Sequence, residues 1–491
     1  MNYLILSPVF VPIIAGIALL LLPDKVFGGR KGLLISVGMI AVVSALLGVF
    51  AVSGVAGSSV KLFDIARGLS VYFNIDNFGR LFAALVTFIF VLISFYSFAY
   101  MAHEKNERRF YAFYLMTYGV LMGLSFSGNM VTMYMFYELM TLVSFPLVLH
   151  NGSREAVMAA LKYLMYSFGG AYMALFGIYY LYKYTETLDF AAGGAAWSSE
   201  FLASGNMGLM LAAVFLMIVG FGVKAGLFPM HAWLSAAHPV APAPASAFLS
   251  GIIVKGGILA IIRTVYYCVG ADFLRGTWVQ TAWLTLSVIT IIMGSALAYK
   301  EKLLKKRFAY STISNLSYIM LGLALLNRTA FVGSILHIVF HAVIKTALFM
   351  FAGAVIFITG KTRVNDTAGL GRKMPKLFGA YTVAALGLIG IPPTSGLISK
   401  WYLAIGGFES GVPVFSWLGA VALLVSALLT AGYLLPISVR GFLADENNRS
   451  TSLGYKKPPL MMLAPIFILV AVTLILGVYP MPLIEFAKTL I

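Results

Sequence analysis

The 491-residue chain reads as an all-α, polytopic membrane protein of about fourteen transmembrane helices. Three observations predict this. Apolar residues make up 61% of the chain and charged residues only 10%, with a mean hydropathy of +0.94; soluble domains are nearer a quarter charged. Stretches apolar enough to cross hydrocarbon, which takes about 20 residues, recur fourteen times. The Lys and Arg residues fall mainly in alternate loops between those stretches, as the positive-inside rule requires.

The spans lie near residues 3–22, 33–53, 78–101, 110–127, 130–149, 160–182, 207–228, 246–269, 278–299, 308–326, 331–358, 376–401, 415–439 and 460–479. No Lys or Arg precedes the first one, so it is expected to be a retained helix and not a cleaved signal peptide. With both termini outside, the odd-numbered loops are cytoplasmic. They hold 22 of the 34 Lys and Arg residues, among them Lys305, Arg307, Arg449 and Lys456, while the outer side holds 8, among them Arg67 and Arg263. The net charge of +17 and the pI of about 9.7 therefore face the anionic leaflet and call for no nucleic acid. The expected location is the cytoplasmic membrane of a bacterium or archaeon. A single cysteine, Cys268, excludes an internal disulfide and a Cys-ligated iron–sulfur cluster. No strand is expected, and Gly360-Lys361-Thr362 lacks the glycine a phosphate loop needs at position 355, where Val355 stands.

The remaining four basic residues, Lys224, Lys255, Lys345 and Lys400, lie inside spans. A charge at that depth is costly and faces a protein interior or a watery cavity, which points to a path for protons or cations. Two of the four sit beside proline breaks. The first run is Phe221-Gly-Val-Lys224-Ala-Gly-Leu-Phe-Pro229, continuing into Pro239–Pro244; the second is Gly390-Ile-Pro392-Pro393-Thr-Ser-Gly-Leu-Ile-Ser-Lys400. Proline removes a ladder donor, and irregular backbone survives in a membrane only against protein or water. The breaks fall in spans seven and twelve, five apart, so spans 4–8 and 9–13 read as two five-helix repeats of inverted topology. Plain structural kinks are the alternative.

Glu138 is the one acid placed within a span, and Lys224 is its expected partner. The pair could be a static ion bridge, or one whose separation changes so that the lysine holds or releases its proton. His337, His341 and Lys345 are spaced i, i+4, i+8 on one helix face and suit a proton relay. A metal or haem is disfavoured there because a lysine one turn on repels the cation. Lys255 is followed by Gly256-Gly257, which let a helix or water approach. His231 and His238 flank a cytoplasmic loop over Trp233–Pro244 and read either as a proton mouth or as ordinary interfacial residues. Lys162 either snorkels or joins the path; His103 and His150 read as superficial.

These runs resemble a known family. Phe136-Tyr-Glu138-Leu139, Gly222 to Leu234, Ala237 to Ala247 and His337 to Lys345 are similar to the antiporter-like membrane subunits shared by respiratory complex I, Mrp-type multisubunit Na+/H+ antiporters and membrane-bound hydrogenases. The resemblance covers about residues 108–425. It divides the chain into helices 1–3 (1–107), a translocating core (108–425) and C-terminal helices (426–491). It implies a subunit that moves H+, with or without exchange for Na+, along a central hydrophilic axis. In that frame Glu138 and Lys224 are a charge-coupled pair, Lys255 a bridge, Lys345 with His337 and His341 a middle relay, and Lys400 the terminal lysine. It implies no cofactor and no metal. The implied partners are other membrane subunits, a second antiporter-like subunit and small helical subunits among them. About a dozen residues follow the last span, so no long lateral helix is expected; Lys345 and the length resemble the D-type subunit of the Mrp antiporters and its counterpart in membrane-bound hydrogenases, while the loop with His231 and His238 looks more like the complex I and hydrogenase versions. The two rival classes are a permease holding an organic anion at the broken helices and a non-conducting assembly subunit.

Overall fold

The computed structural model describes residues 2–54, 57–66, 69–194, 197–199, 201, 206–443 and 457–491. Arg67, Arg449 and Lys456 lie outside the described residues. A helix covers each stretch that hydropathy marks. In chain order they are α1 (Ser7–Leu21), α2 (Arg30–Ser53), α3 (Asn77–Tyr100), α4 (Glu107–Ser125), α5 (Met130–Val148), α6 (Arg154–Tyr184), the split α7a (Met207–Ala225) and α7b (Ala232–Val240), α8 (Ala243–Val269), α9 (Trp278–Lys300), α10 (Leu304–Ala324), α11 (Arg328–Thr359), the split α12a (Pro375–Ile389) and α12b (Gly396–Glu409), α13 (Phe415–Leu443) and α14 (Leu460–Val478). A short α15 (Met481–Lys488) follows. Among the described residues ten helices are long and apolar enough to cross a membrane.

Several helices start earlier than hydropathy alone predicts, because polar caps carry them past the apolar stretch. Ser153 accepts from the Ala156 amide before α6 and Asn327 from the Ala330 amide before α11, at 3.1 and 2.8 Å, and Asn129 caps α5 through the Thr132 amide at 2.9 Å, at the start that hydropathy predicts. Each cap satisfies one of the orphan donors of a helix start.

The expectation of no strands is overturned. Between α2 and α3 the chain folds into an antiparallel hairpin, β1 (Ser59–Ala66) on β2 (Leu69–Asn74), with Val60 opposite Phe73. Val60, Val71 and Phe73 are buried. The period-two alternation of these residues was the available signal, in a stretch too short and polar to span. Polar groups at the start of α5 hold the hairpin down: Asn129 donates to the Ser70 carbonyl, and the Tyr72 amide donates to Thr132, both at 2.9 Å.

The centre of the fold is α8 and α11. All of α8 is buried, and α11, at 32 residues, packs on α10, both halves of α12, and α14. Some charges assigned to loops are in fact buried. Arg263, counted as external, is 1% exposed near the end of α8 and pairs with Asp76, the N-cap of α3. Three rings, Phe78, Phe190 and Tyr267, surround its guanidinium at 4.8–5.0 Å. Lys305 and Arg307, counted as cytoplasmic, are also buried; they donate to the carbonyls of Ala241 and Tyr433 at 2.5 and 2.9 Å. His150 is not superficial but 3% exposed, and burial together with the Arg109 charge lowers its pKa to about 4. His103 is exposed as expected.

Removing Asp76 leaves a buried guanidinium without its counter-charge and α3 without its cap. Asp76→Ala should therefore lower stability by about 3 kcal/mol or more. Thermal unfolding of the purified protein checks this, and Asp76→Asn, which keeps the cap, separates the two contributions.

Candidate ion-translocation axis

Three of the four lysines read as intramembrane, Lys224, Lys255 and Lys400, meet a place where the helical ladder is broken, widened or ended, and Lys345 lies within the continuous α11. α7a ends at Gly226 and α12a at Gly390, both in left-handed conformations (φ +73° and +93°). Glycine takes this conformation without the Cβ clash other residues suffer. Lys224 lies in the last turn of α7a, where a cation complements the helix dipole. Lys400, on α12b, donates to the carbonyls of Leu388 and Ile389 at 2.8 and 2.7 Å, capping the C-terminus of α12a. Lys255 donates to the Ser250 carbonyl at 2.5 Å, where α8 widens into a π-helical turn over Leu249–Ile253. Such turns free carbonyls and recur at functional sites.

The middle of the protein is joined by direct hydrogen bonds. The Ser250 hydroxyl meets Thr312 at 2.8 Å, and Thr312 donates to the Phe308 carbonyl at 2.9 Å. Lys345 donates to the same carbonyl at 3.1 Å and to Ser311 at 2.6 Å; the Tyr433 hydroxyl donates to Ser311 at 2.8 Å. Lys255 and Lys345, both 0% exposed, are thus linked across α8, α10, α11 and α13. Further along α11 the rings of His341 and His337 are 5.8 Å apart, and His337 Nδ1 lies 2.9 Å from the Ser399 hydroxyl, next to Lys400. The ring of Tyr318 stands 5.3 Å from His337 and 5.4 Å from the Lys400 ammonium.

The first pair differs from expectation. Among the described residues no ion pair joins Glu138 to Lys224. Lys224 Nζ instead donates to the Tyr163 hydroxyl at 2.8 Å. Glu138 is half-buried, its Oε1 has no protein hydrogen bond, and the exposed Met135 and Leu139 flank it on α5. Trp233–Val240 is helix and not loop, and His238 is fully buried, its ring 4.5 Å from that of Phe349. His231 is half-buried beside Phe228, and Lys162 is half-exposed over the ring of Tyr166.

An ammonium has three donors. Lys224 and Lys255 spend one each on protein groups, and Lys345 and Lys400 two each. Both nitrogens of His238 and His341, and His337 Nε2, have no protein hydrogen bond. Buried polar atoms of this kind are normally satisfied by ordered water. Sequence reading missed the neutral members of the axis, Tyr163, Ser250, Ser311, Thr312, Ser399 and Tyr433. One signal was present: Tyr310-Ser-Thr-Ile-Ser-Asn-Leu-Ser-Tyr318 is unusually polar for a span.

Helices broken beside buried lysines, with a polar run across the middle of an apolar bundle, define a class: polytopic membrane proteins built around a buried polar axis. Comparison with known proteins supplies the family. Residues 127–430 match the NADH:quinone oxidoreductase/Mrp antiporter transmembrane family, and residues 66–111 match the N-terminus of chain 5 of NADH-ubiquinone oxidoreductase (complex I). The chain belongs to this family of antiporter-like membrane subunits. It is 32% identical over 411 residues to the N-type subunit of NADH-quinone oxidoreductase from Desulforudis audaxviator, covering 80% of each chain. It is 28% identical over 491 residues to the D-type subunit of the Na(+)/H(+) antiporter from Alkalihalophilus pseudofirmus, covering 99% of this chain and 96% of that one. Its fold is that of a chain in the Mrp complex from Dietzia sp. DQ12-45-1b, with a TM-score of 0.85 at 23% identity over 100% of this chain and 96% of that one.

Proposed function

We propose that this chain translocates protons, alone or in exchange for Na+, as one subunit of a larger membrane complex. The observation that carries this is the hydrogen-bonded link from Lys255 to Lys345 through Ser250, Thr312, Phe308 and Ser311. The Ser250 and Phe308 carbonyls in this link only accept and so anchor the two ammonium groups, while a proton passes through water at the remaining lysine donors, relayed by the Ser250, Thr312 and Ser311 hydroxyls, without a large movement of either chain segment. Glu138 and Lys224 form the switch at one end, and His341, His337 and Lys400 continue the path at the other. Of the three entry residues, His231 and Lys162 lie at the periphery and form the mouth, and the fully buried His238 lies inward of them.

The fourteen helices are taken as fourteen spans with both termini outside, and α4–α8 and α9–α13 as inverted repeats within a core of residues 108–425. Both Gly-capped breaks, five helices apart, support that reading. Both ends of the axis approach the lateral surface, since Glu138 and Lys400 are half-buried beside the exposed residues Leu139 and Trp401. A carboxylate or ammonium facing hydrocarbon is unfavourable, so neighbouring membrane subunits are the expected cover, a second antiporter-like subunit among them.

The complex purified with its associated subunits and reconstituted into liposomes enclosing a pH-sensitive dye tests the proposal. A Na+ gradient, or the electron donor of the parent complex, should change the internal pH. An unchanged pH under both drives would refute it.

A further inference from the structure

We propose that Tyr163 is a second, neutral partner of Lys224, so that this lysine alternates between the Glu138 carboxylate and a phenol. The inference rests on the proton-translocating reading above and extends it to a positioning residue. Lys224 is 0% exposed, and its ammonium is 2.8 Å from the Tyr163 hydroxyl and 4.3 Å from the centre of the Tyr163 ring. The Tyr163 hydroxyl also lies 2.7 Å from Ser144 Oγ, and Ser144 lies 2.5 Å from the Met140 carbonyl.

This geometry permits two proton arrangements. When Lys224 is an ammonium it donates to Tyr163, Tyr163 donates to Ser144, and Ser144 donates to the Met140 carbonyl. When Lys224 is a neutral amine, its lone pair accepts from Tyr163, and Ser144 turns to donate to the phenol oxygen. A hydroxyl both donates and accepts, whereas an ionised carboxylate only accepts. Glu138 therefore favours only the charged lysine, while Tyr163 serves both forms. The phenol keeps its own proton throughout; the proton that leaves Lys224 passes along the axis toward Lys255 on the neighbouring α8.

The ring is held for this role. Trp233 on α7b packs 4.6 Å from Tyr163, and its indole nitrogen donates at 2.8 Å to the carbonyl of Val223, the residue before Lys224. The α7 break and the tyrosine are thereby tied together. Several titratable groups surround Lys224. Tyr163 and the half-exposed Lys162 come from α6, and Tyr137, 5.9 Å from the ammonium, comes from α5 with Glu138. Lys255 comes from α8, two residues from Gly257, which packs against the Lys224 Cβ. On α9 the titratable residues are Tyr299 and Lys300, at its C-terminal end, and on α10 Tyr318 is engaged by Ser426.

Tyr163→Phe deletes the hydroxyl and keeps the ring. In the reconstituted complex, proton transport should fall by about tenfold or more, since a hydrogen bond to a charged group is lost. The pH profile of the remaining transport should move to lower pH by about one unit, because the ammonium loses its acceptor. The unfolding temperature should drop more in the wild-type background than in a Lys224→Met background, where only the bond to Ser144 is lost, the sign of a direct coupling. Wild-type rate and pH profile in Tyr163→Phe, with transport still abolished by Lys224→Ala, would overturn the role of Tyr163 alone. An equal drop in unfolding temperature in both backgrounds would likewise overturn it. Transport unaffected by Lys224→Ala would remove the underlying reading and this proposal with it.

Discussion

Replacing Lys224 by alanine should abolish proton transport by the reconstituted complex while leaving the complex assembled. The lysine is fully buried, so its ionised form exists only through its neighbours, and no other side chain on α7a can take its place. Glu138→Gln should reach nearly the same end by a different route. The amide keeps the shape of the side chain but cannot draw the ammonium away from Tyr163. The two variants should therefore both lose transport, by more than about a hundredfold. Dye-detected transport, with blue-native electrophoresis as the assembly control, measures this. Wild-type transport in Lys224→Ala vesicles would contradict the mechanism.

The second large effect is expected at Lys400. Its ammonium bridges the carbonyls of Leu388 and Ile389 at the broken end of α12a, so Lys400→Ala removes a charge from the path and two donors from a helix terminus. Transport should be lost. Stability should fall by about 1–3 kcal/mol, the cost of leaving partly buried carbonyls unpaired. Lys400→Arg should restore most of the stability, because a guanidinium can still cap the helix, yet little of the transport, because it does not deprotonate. Loss of transport with intact assembly would exclude a scaffold role. A purified protein stabilised by an organic anion, and not by this anion after Lys400→Ala, would favour the permease instead.

Much of the architecture was legible in the chain because a bilayer imposes simple rules. Hydrocarbon thickness sets the length of the apolar runs, and the position of each helix follows. Proline beside lysine at Lys224 and Lys400 marks a broken ladder, and the helix breaks fall there, each closed by a glycine at Gly226 or Gly390. His337, His341 and Lys345 needed only the period of a helix to be placed on one face. The hairpin before α3 was missed because its pattern is short and its partner surface, the start of α5, is distant in sequence.

What the chain could not disclose is which groups meet. Lys224 and Glu138 looked like partners because their charges are opposite, but burial weighs every available acceptor, and a phenol on α6 was closer. Arg263 looked external because it falls near the end of a span, but α8 is wrapped on all sides, and Asp76 and three rings enclose it. A lone serine or threonine barely lowers the hydropathy of a span, so Ser250 carried no visible weight, and the polar run that holds Ser311 and Thr312 disclosed no partner until α8, α10 and α11 were packed together.

The sequence by itself determined that this is a helical membrane protein with buried bases at two breaks, because the cost of polar groups in hydrocarbon acts on each segment alone. Only the tertiary structure decided how those bases are connected, because a hydrogen bond between helices depends on distances of about 3 Å that packing sets and no single segment contains.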